Sequence, residues 1–460
     1  MIELAAIDLP RFGAEPHLPK LPIEDYETRL EAISTRLREK RLDVLVVYAD
    51  REHAANLEFL TGFDPRFEEA ILLVNADGAR RLLVGNECLG YLPDERLGIQ
   101  AELIQDLSLL GQPRDAARPL RSVIAEFGVR RGTHVGSAGW KYFGAPAEPD
   151  PCALEIPAYL ADLLRDLTGD RAFVTNATPL FMDPATGARI KNSASQIACF
   201  EYAATRTSDA IRTAIEHIAP GVEEQALERY FYPGGLPLSC HAMASFGAKA
   251  QRGLSSPSSR IAAVGDAFTL AFGLKGGLTC RAGAVARDAS DLPTDLRRFY
   301  PALAHNYFDV VATWYEHVNV GARAGDVFAA VETKRDQTLF RFAVNPGHYI
   351  HLDEWVHSPF CADSDVRLAS GAALQMDIIP ISLGPFCAIN AEDGIALADE
   401  ALRSEIAARF PSMWQRILSR RAFLIEELGI RIDESVLPLS NTAGWLAPFA
   451  LAPAMAFVKR

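Results

Sequence analysis

Every apolar run in this sequence is short, and this limits the folds that the chain can adopt. The longest runs, such as residues 42–48 and 70–74, are far below the roughly 20 residues that a membrane-spanning helix needs. Runs of this length are typical of buried strands and of helices in globular proteins. We therefore expect a soluble protein without a membrane partner.

The charge balance is acidic. Against 46 Lys and Arg residues stand 59 Asp and Glu residues, so the formal net charge is −13. Without a basic run, the sequence does not predict nucleic-acid binding through a general positive field. The seven cysteines are scattered and form no CxxC pair, which is typical of a protein whose thiols stay reduced. These features favour a cytoplasmic location and argue against a thiolate metal site.

The first part of the chain predicts a mixture of helices and sheet. Apolar residues recur at helical spacing within residues 26–40, and this segment runs directly into the apolar segment 42–48. An amphipathic helix that leads into a buried strand is the expected result. Two further apolar runs within residues 70–84 flank an Asp-Gly pair, which predicts a β-hairpin.

A polar segment with Gly and Pro precedes a second long helical pattern, over residues 193–218. We place a domain boundary near Ile190, which divides the chain into domains 1–189 and 190–460. After residue 247 the pattern becomes strand-like with glycine-marked turns. Both domains therefore mix helices and strands, and the predicted fold class is α+β.

Candidate chemistry concentrates in the second domain. Three of the ten histidines, His348, His351 and His357, lie within ten positions, and histidine changes its charge near neutral pH. Asp377 lies inside an apolar, strand-like run, where a buried carboxyl must be paired or protonated. Glu392 lies in another such segment. Ordinary structural histidines remain the alternative for each histidine.

These segments, in this order, resemble the creatinase / aminopeptidase P / methionine aminopeptidase family (M24). The resemblance implies a creatinase-like N-terminal α/β domain followed by a C-terminal catalytic domain of the pita-bread fold. The matching segments are residues 59–63 with the hairpin after them, 191–197 with 220–224, 265–266, the Gly-His pair at 347–348, 371–380 and 390–394.

The sequence departs from the family at the metal site. Metal-dependent members hold two divalent ions with two Asp, one His and two Glu residues. The two Asp positions correspond to Ala271 and Ala282, which have no donor atoms, while His348, Asp377 and Glu392 occupy the other three. We therefore predict no dinuclear metal centre and no cofactor.

A further family histidine, which serves as an acid/base in creatinase, corresponds to Leu254. His241 is a candidate to replace it, and His357 is a second histidine that we expect to reach the pocket. His241 lies on the strand that precedes this loop in the family. His357 resembles the family's second histidine, although the segment after His348 is longer by about two residues than in peptidase members.

Creatinase offers a precedent for catalysis by side chains alone. It lacks both metal-binding Asp residues and hydrolyses a guanidino C–N bond. In creatinase-like dimers the N-terminal domain of one subunit covers the pocket of the other, which implies a homodimer here. Phe63 and Arg66 lie in the corresponding loop, and an Arg there can pair with a substrate carboxylate. With His351, they are our candidates for substrate contacts.

Three hypotheses follow. The first is a metal-independent, creatinase-like hydrolase or lyase that cleaves a C–N bond of a small amidino, guanidino or amide substrate. Its catalytic candidates are His348, Asp377, Glu392, His357 and His241. The second is a pita-bread pseudoenzyme that binds a peptide or protein, and the third is a metal-dependent Xaa-Pro aminopeptidase.

Overall fold

The computed structural model of the chain describes residues 1–116, 118–143 and 150–460. These residues form two compact units. One unit is Leu21–Arg189, and the other combines Met1–Lys20 with Ile190–Arg460.

The first residues of the chain belong to the second unit. Strand β1 (Ile2–Ala6) pairs antiparallel with the last strand, β17 (Met455–Lys459), over five residue pairs. The predicted assignment of residues 1–20 to the first domain therefore differs from the structure. The reason is a strand pairing between distant parts of the sequence.

The unit Leu21–Arg189 is an α/β structure with a six-stranded sheet in the order β5-β4-β3-β2-β6-β7. Strand β2 pairs antiparallel with β3 and parallel with β6. Its helices are α1 (Ile23–Lys40), α2 (Ala55–Thr61), α3 (Leu120–Glu126), α4 (Ala158–Thr168) and α5 (Pro179–Met182), and its strands are β2 (Val44–Ala49), β3 (Ala70–Asn75), β4 (Arg80–Val84), β5 (Gln100–Leu103), β6 (Val135–Ala138) and β7 (Val174–Asn176).

The local sequence explains how this unit begins. Leu30, Ile33 and Leu37 of α1 are fully buried, as their helical spacing predicts. Strand β2 follows, and all six of its residues are buried. The turn between β3 and β4 contains Gly78 at φ +92°, a conformation that glycine adopts without strain. The predicted helix, strand and hairpin are confirmed.

The second unit is built around an antiparallel sheet in the order β12-β13-β15-β10-β9-β8, with β16 paired to β15. A two-stranded sheet, β11 with β14, lies outside it. The helices are α6 (Ala194–Glu216), α7 (Glu224–Leu227), α8 (Leu296–His317), α9 (Ala324–Lys334), α10 (Glu400–Arg409) and α11 (Pro411–Ala422), and the strands are β8 (Met243–Phe246), β9 (Ala267–Leu274), β10 (Gly277–Ala284), β11 (Phe340–Phe342), β12 (His348–Tyr349), β13 (Ala373–Asp377), β14 (Pro380–Ser382), β15 (Asn390–Leu397) and β16 (Val436–Pro438).

Helix α6 packs closely against strands β9 and β10. The Ser193 hydroxyl caps its N-terminus by accepting a hydrogen bond from the backbone N–H of Gln196. The close approach requires Gly277, because a Cβ atom there would lie 2.7 Å from the backbone nitrogen of Ala204. The sheet that carries the candidate site is therefore held from one side by a long buried helix.

The strand register brings one residue from each of five neighbouring strands into a row. Asp377 lies opposite Glu392, Glu392 opposite Cys280, Cys280 opposite Ala271, and Ala271 opposite Met243. Directly opposed residues of antiparallel strands project from the same face of a sheet. The two predicted site carboxylates and Ala271 therefore share a face, and so does Ala282, which lies two residues after Cys280 on β10.

Among the residues that the structure describes, no helix is both long and apolar enough to cross a membrane.

Candidate functional site

His348 is the centre of the candidate site. It lies on β12, opposite Gln375 of β13, and its side chain is fully buried. Its Nδ1 atom lies 3.2 Å from the carbonyl oxygen of Tyr349. Because a carbonyl can only accept, Nδ1 carries a proton, and Nε2 is left to face the carboxylates.

Three carboxylates surround the Nε2 atom of His348. An oxygen of Glu354 lies 3.1 Å from it, an oxygen of Glu392 at 3.7 Å and an oxygen of Asp377 at 3.9 Å. Asp377 and Glu392 are buried, while the side chain of Glu354 is 27% exposed. We call Glu354, Asp377 and Glu392 the acidic cluster.

Glu354 reaches the site from a turn. Tyr349 forms backbone hydrogen bonds with residues 356 and 357, which closes a narrow hairpin after β12. The tip of this hairpin carries Glu354 and Trp355. The indole of Trp355 stacks on the imidazole of His348, with centroids 4.2 Å apart and planes inclined by 20°. The turn therefore both supplies a carboxylate and covers the histidine ring.

Gln375 orients Glu392. Its side-chain N–H₂ group donates to the carbonyl oxygen of Leu278 at 2.8 Å and to a carboxylate oxygen of Glu392 at 3.2 Å. These two acceptors fix the orientation of the amide. Within the described residues, the amide oxygen of Gln375 and the Oδ1 atom of Asp377 have no hydrogen-bond partner. The site thus contains buried acceptors that lack donors.

Burial and neighbouring charges shift the pKa values of His348, Asp377 and Glu392. Burial lowers the pKa of His348, but the charges of Glu354, Glu392 and Asp377 outweigh it, so the pKa lies well above its ordinary value. Burial raises the pKa of Asp377 to about 7, since the charge of His348 offsets only part of the cost. Burial and the charge of Asp377 raise the pKa of Glu392 well above its usual range. An imidazolium beside partly ionised carboxyls is the expected state near neutral pH.

An apolar surface adjoins the acidic cluster on the same sheet. It is formed by Met243, Ala271, Leu278 and Cys280, which pack together, with Cys240 against them. We call these four residues the apolar wall. Burial, together with the charges of Glu354 and Glu392, raises the pKa of Cys240 to about 12. The effect of these charges indicates that the wall and the acidic cluster are close neighbours.

The residues of this site do not fit the dinuclear metal centre that the family resemblance implies. Ala271 lies in the apolar wall, and Ala282 lies opposite Asn390, whose amide donates to the Cys280 sulfur at 3.2 Å. Neither alanine offers a donor atom, so two of the five ligands are missing. His348, Glu354 and Glu392 have ligand atoms within 4.8 Å of one another, and these residues could hold a single ion.

The structure brings together three of the predicted catalytic residues, His348, Asp377 and Glu392. For His241 the structure shows a different contact, and its catalytic role stays a prediction. His241 is exposed, and its Nε2 atom is hydrogen-bonded to the backbone carbonyl of Leu254 at 2.8 Å. This contact directs the imidazole of His241 to the loop backbone.

Two predicted substrate contacts, His351 and Phe63, lie in aromatic packing, and their role in substrate binding stays a prediction. His351 is fully buried and packs edge-to-face on Phe200 of α6. Phe63 is 2% exposed and stacks on Tyr91 within its own unit. In both cases, burying the ring against another aromatic ring stabilises the fold more than exposing it at the surface would.

The roles of His357 and Arg66 stay predictions. His357 is half-buried, and its backbone pairs with Tyr349 beside His348. Arg66 is exposed and has a left-handed backbone, with φ +62°.

Sequence reasoning missed Glu354, Gln375 and Trp355. Glu354 lies in the histidine-rich segment, and the extra length of that segment relative to peptidases was the available signal. Gln375 lies two residues before Asp377, so period-two alternation places both on one face of β13.

Known proteins resemble this chain in one domain and in the fold. Residues 29–127 match the family model of the creatinase/prolidase N-terminal domain. The dipeptidase PepE from Mycobacterium ulcerans is 16% identical, with a TM-score of 0.60 over 82% of this chain and 95% of that one. A recombinant prolidase from Thermococcus sibiricus is 15% identical, with a TM-score of 0.61 over 82% of this chain and 95% of that one. A Xaa-Pro dipeptidase from Bacillus anthracis is 16% identical, with a TM-score of 0.59 over 82% of this chain and 96% of that one. No curated protein sequence matches.

These matches confirm the predicted α+β fold, a creatinase-like N-terminal domain followed by a pita-bread domain. Residues 29–127 are therefore similar to the creatinase/prolidase N-terminal domain, and the fold of the whole chain is similar to that of solved prolidases and dipeptidases.

Proposed function

We propose that the protein is a hydrolase that cleaves a C–N bond of a small amidino, guanidino or amide substrate, without a dinuclear metal centre. The observation that carries the proposal is the contact of one imidazole nitrogen, Nε2 of His348, with three carboxylates at 3.1 to 3.9 Å. Such an arrangement supplies an acid and a base in one buried site.

Ionised Asp377 and protonated His348 would have separate tasks in the reaction. Hydrolysis adds the hydroxide part of a water to carbon and its proton to the departing nitrogen. An ionised Asp377, whose pKa is about 7, can accept the proton of the attacking water. Protonated His348 can stabilise the tetrahedral centre and donate to the departing nitrogen. Glu354 and Glu392 hold the imidazolium in place.

The proposal has a direct test. We expect the purified protein to contain less than about 0.1 equivalent of metal, and its turnover of amidino, guanidino or amide compounds to be unchanged by chelators. Asp377→Asn and His348→Gln should each lower kcat by roughly 100-fold or more, while Asp8→Asn, at an exposed carboxyl of the same unit, should not. Near-stoichiometric metal with chelator-sensitive turnover would contradict the proposal.

A second candidate is a pseudoenzyme that binds a peptide or protein. It is favoured by the loss of three family functional groups, at Ala271, Ala282 and Leu254. Binding of a macromolecule that survives Asp377→Asn, without any turnover, would support this candidate.

We also propose a cytoplasmic homodimer. All seven cysteines carry free thiols, which is compatible with a reducing compartment. The exposed Arg66 lies on the loop that the family resemblance assigns to the partner's pocket. Light scattering of the purified protein measures the subunit count directly.

A further inference from the structure

We propose that the unit Leu21–Arg189 binds a free α-amino acid with an apolar side chain, in a cavity that shares no residue with the candidate functional site. The cavity has a volume of about 590 Å³ and is lined by residues of α1, β7 and α5 and of the segment after α5. We call it the α1 cavity. Two of its lining residues, Lys40 and Thr186, are exposed, so the cavity is open to solvent.

Arg36 brings a guanidinium without an ion pair into the α1 cavity. The side chain is half-buried, and within the described residues its one hydrogen bond runs from Nη1 to the carbonyl oxygen of Leu180, at 2.7 Å. Glu39 and Asp183 line the same cavity, but neither forms an ion pair with it. Burial lowers the pKa of Arg36, and the charges of these two carboxylates offset only part of that effect. The Nε and Nη2 atoms form the edge of a guanidinium that binds a carboxylate through two hydrogen bonds.

Asp183 brings a carboxylate of fixed orientation into the same cavity. Its Oδ1 atom accepts hydrogen bonds from the backbone N–H groups of Ala185 and Thr186, at 3.0 and 2.8 Å, and from the Thr186 hydroxyl at 2.9 Å. Its Oδ2 atom accepts none from the residues that the structure describes. An ammonium group of a ligand can therefore donate to Oδ2 without breaking the existing bonds.

The charges of the lining select a ligand that carries both signs. Arg36 and Lys40 are cations, and Glu39 and Asp183 are carboxylates, so the formal charges of these four residues cancel. A simple anion or a simple cation would disturb this balance. A zwitterion leaves it unchanged, and its carboxylate and ammonium groups can pair with Arg36 and Asp183 at the same time. A free α-amino acid carries both groups on one carbon atom.

Apolar side chains line another part of the α1 cavity and select the substituent. Leu42 and Pro179 are half-buried there, and Ala177 and Leu180 are buried. An apolar side chain of the ligand gains free energy when these residues remove it from water. A charged side chain would lose its hydration against them. The expected ligand is therefore an amino acid of the aliphatic type.

The experiment measures binding to the intact protein. Isothermal titration with alanine, α-aminobutyrate and norvaline, each one methylene group longer than the one before, should give affinities that rise roughly fourfold at each step. Pentanoate lacks the ammonium group of norvaline, and norvalinamide lacks its carboxylate. We expect each of these two compounds to bind at least about tenfold more weakly than norvaline.

Two variants assign the charged groups of the ligand to their partners. Arg36→Gln should weaken norvaline binding by roughly tenfold or more and remove most of the difference between norvaline and norvalinamide. Asp183→Asn keeps a side-chain oxygen for the turn, and it should weaken norvaline binding similarly and remove most of the difference between norvaline and pentanoate. Arg130→Gln, at an exposed position of the same unit, is the matched control and should bind norvaline as the wild type does. His348→Gln, in the other unit, should do the same.

Three results would overturn the inference. The first is equal binding of norvaline and either pentanoate or norvalinamide, and it counts even if a variant fails to fold, because these titrations use the wild type. The second is the absence of norvaline binding at millimolar concentrations. The third is norvaline binding that is lost in His348→Gln and retained in Arg36→Gln, since the amino acid would then lie at the acidic cluster. The expected pattern supports the inference whether or not the protein is a hydrolase.

Discussion

Replacing Asp377 with asparagine should stabilise the protein at alkaline pH. The carboxyl of Asp377 is buried, and its folded-state pKa is raised to about 7 because burial disfavours the charge. In an unfolded chain an aspartate ionises near pH 3.9. The folded protein therefore retains a proton between these values that the unfolded chain releases.

The sign and size of the effect follow from this difference. Where the folded state binds more protons, stability falls as pH rises, so this carboxyl costs stability increasingly from about pH 4 to pH 7 and by a constant amount above. Asparagine cannot ionise. Between pH 5 and pH 8 the free energy of unfolding of the variant, relative to the wild type, should rise by about 3 kcal/mol, since two pH units contribute about 1.4 kcal/mol each.

Denaturant unfolding at pH 5, 6, 7 and 8, in chelator-treated buffer, measures this difference. Asp8→Asn removes an exposed carboxyl from the same unit, and its difference from the wild type should stay flat across the range. A flat profile for Asp377→Asn as well, or a variant that loses stability at pH 8, would refute the reasoning.

Other predictions concern the framework of the second unit, and thermal or denaturant unfolding checks each of them. Arg281 and Asp393 form a buried ion pair at 2.7 Å, so Arg281→Ala should cost about 3–5 kcal/mol, whereas replacing both residues by apolar ones should recover most of the loss. Gly277→Ala should cost roughly 1–3 kcal/mol, because the added Cβ meets the backbone of α6 at 2.7 Å. Glu224 is fully buried and accepts a hydrogen bond from Lys249 at 2.6 Å. Burial raises the pKa of Glu224, but its hydrogen bonds outweigh this effect, so the pKa is lowered overall. Glu224→Gln should therefore lower the stability of the protein at pH 7 and lower it less at acidic pH, where the wild-type carboxyl is itself protonated.

The part of the site that the sequence predicted lies on regular strands. Asp377 and Glu392 are directly opposed on β13 and β15, and His348 lies on the neighbouring strand β12. A fixed register carries such residues to the same place whenever the strands pair, so the order of the motifs was enough to group them.

The part that the sequence did not predict lies on a turn. Glu354 reaches His348 only because backbone bonds of Tyr349 close a hairpin whose tip direction no periodicity encodes. The surroundings of two other predicted residues have a related cause. His351 and Phe63 lie close to recognisable motifs, but packing against neighbouring rings determines where each points. The pairing of β1 with β17 is equally invisible to local patterns.

That pairing also determines how the chain resists a pulling force. Ile2 lies opposite Lys459, and the backbone N–H of Arg460 donates to the carbonyl oxygen of Met1 at 2.7 Å. A force applied between residues 1 and 460 therefore loads the ladder at its end, one hydrogen bond at a time, as in the opening of a zipper. Attachment at residues 6 and 460 would instead load the ladder along its length, and all of its bonds would share the force. Rupture should need distinctly less force in the first geometry, although the contacts that break are the same.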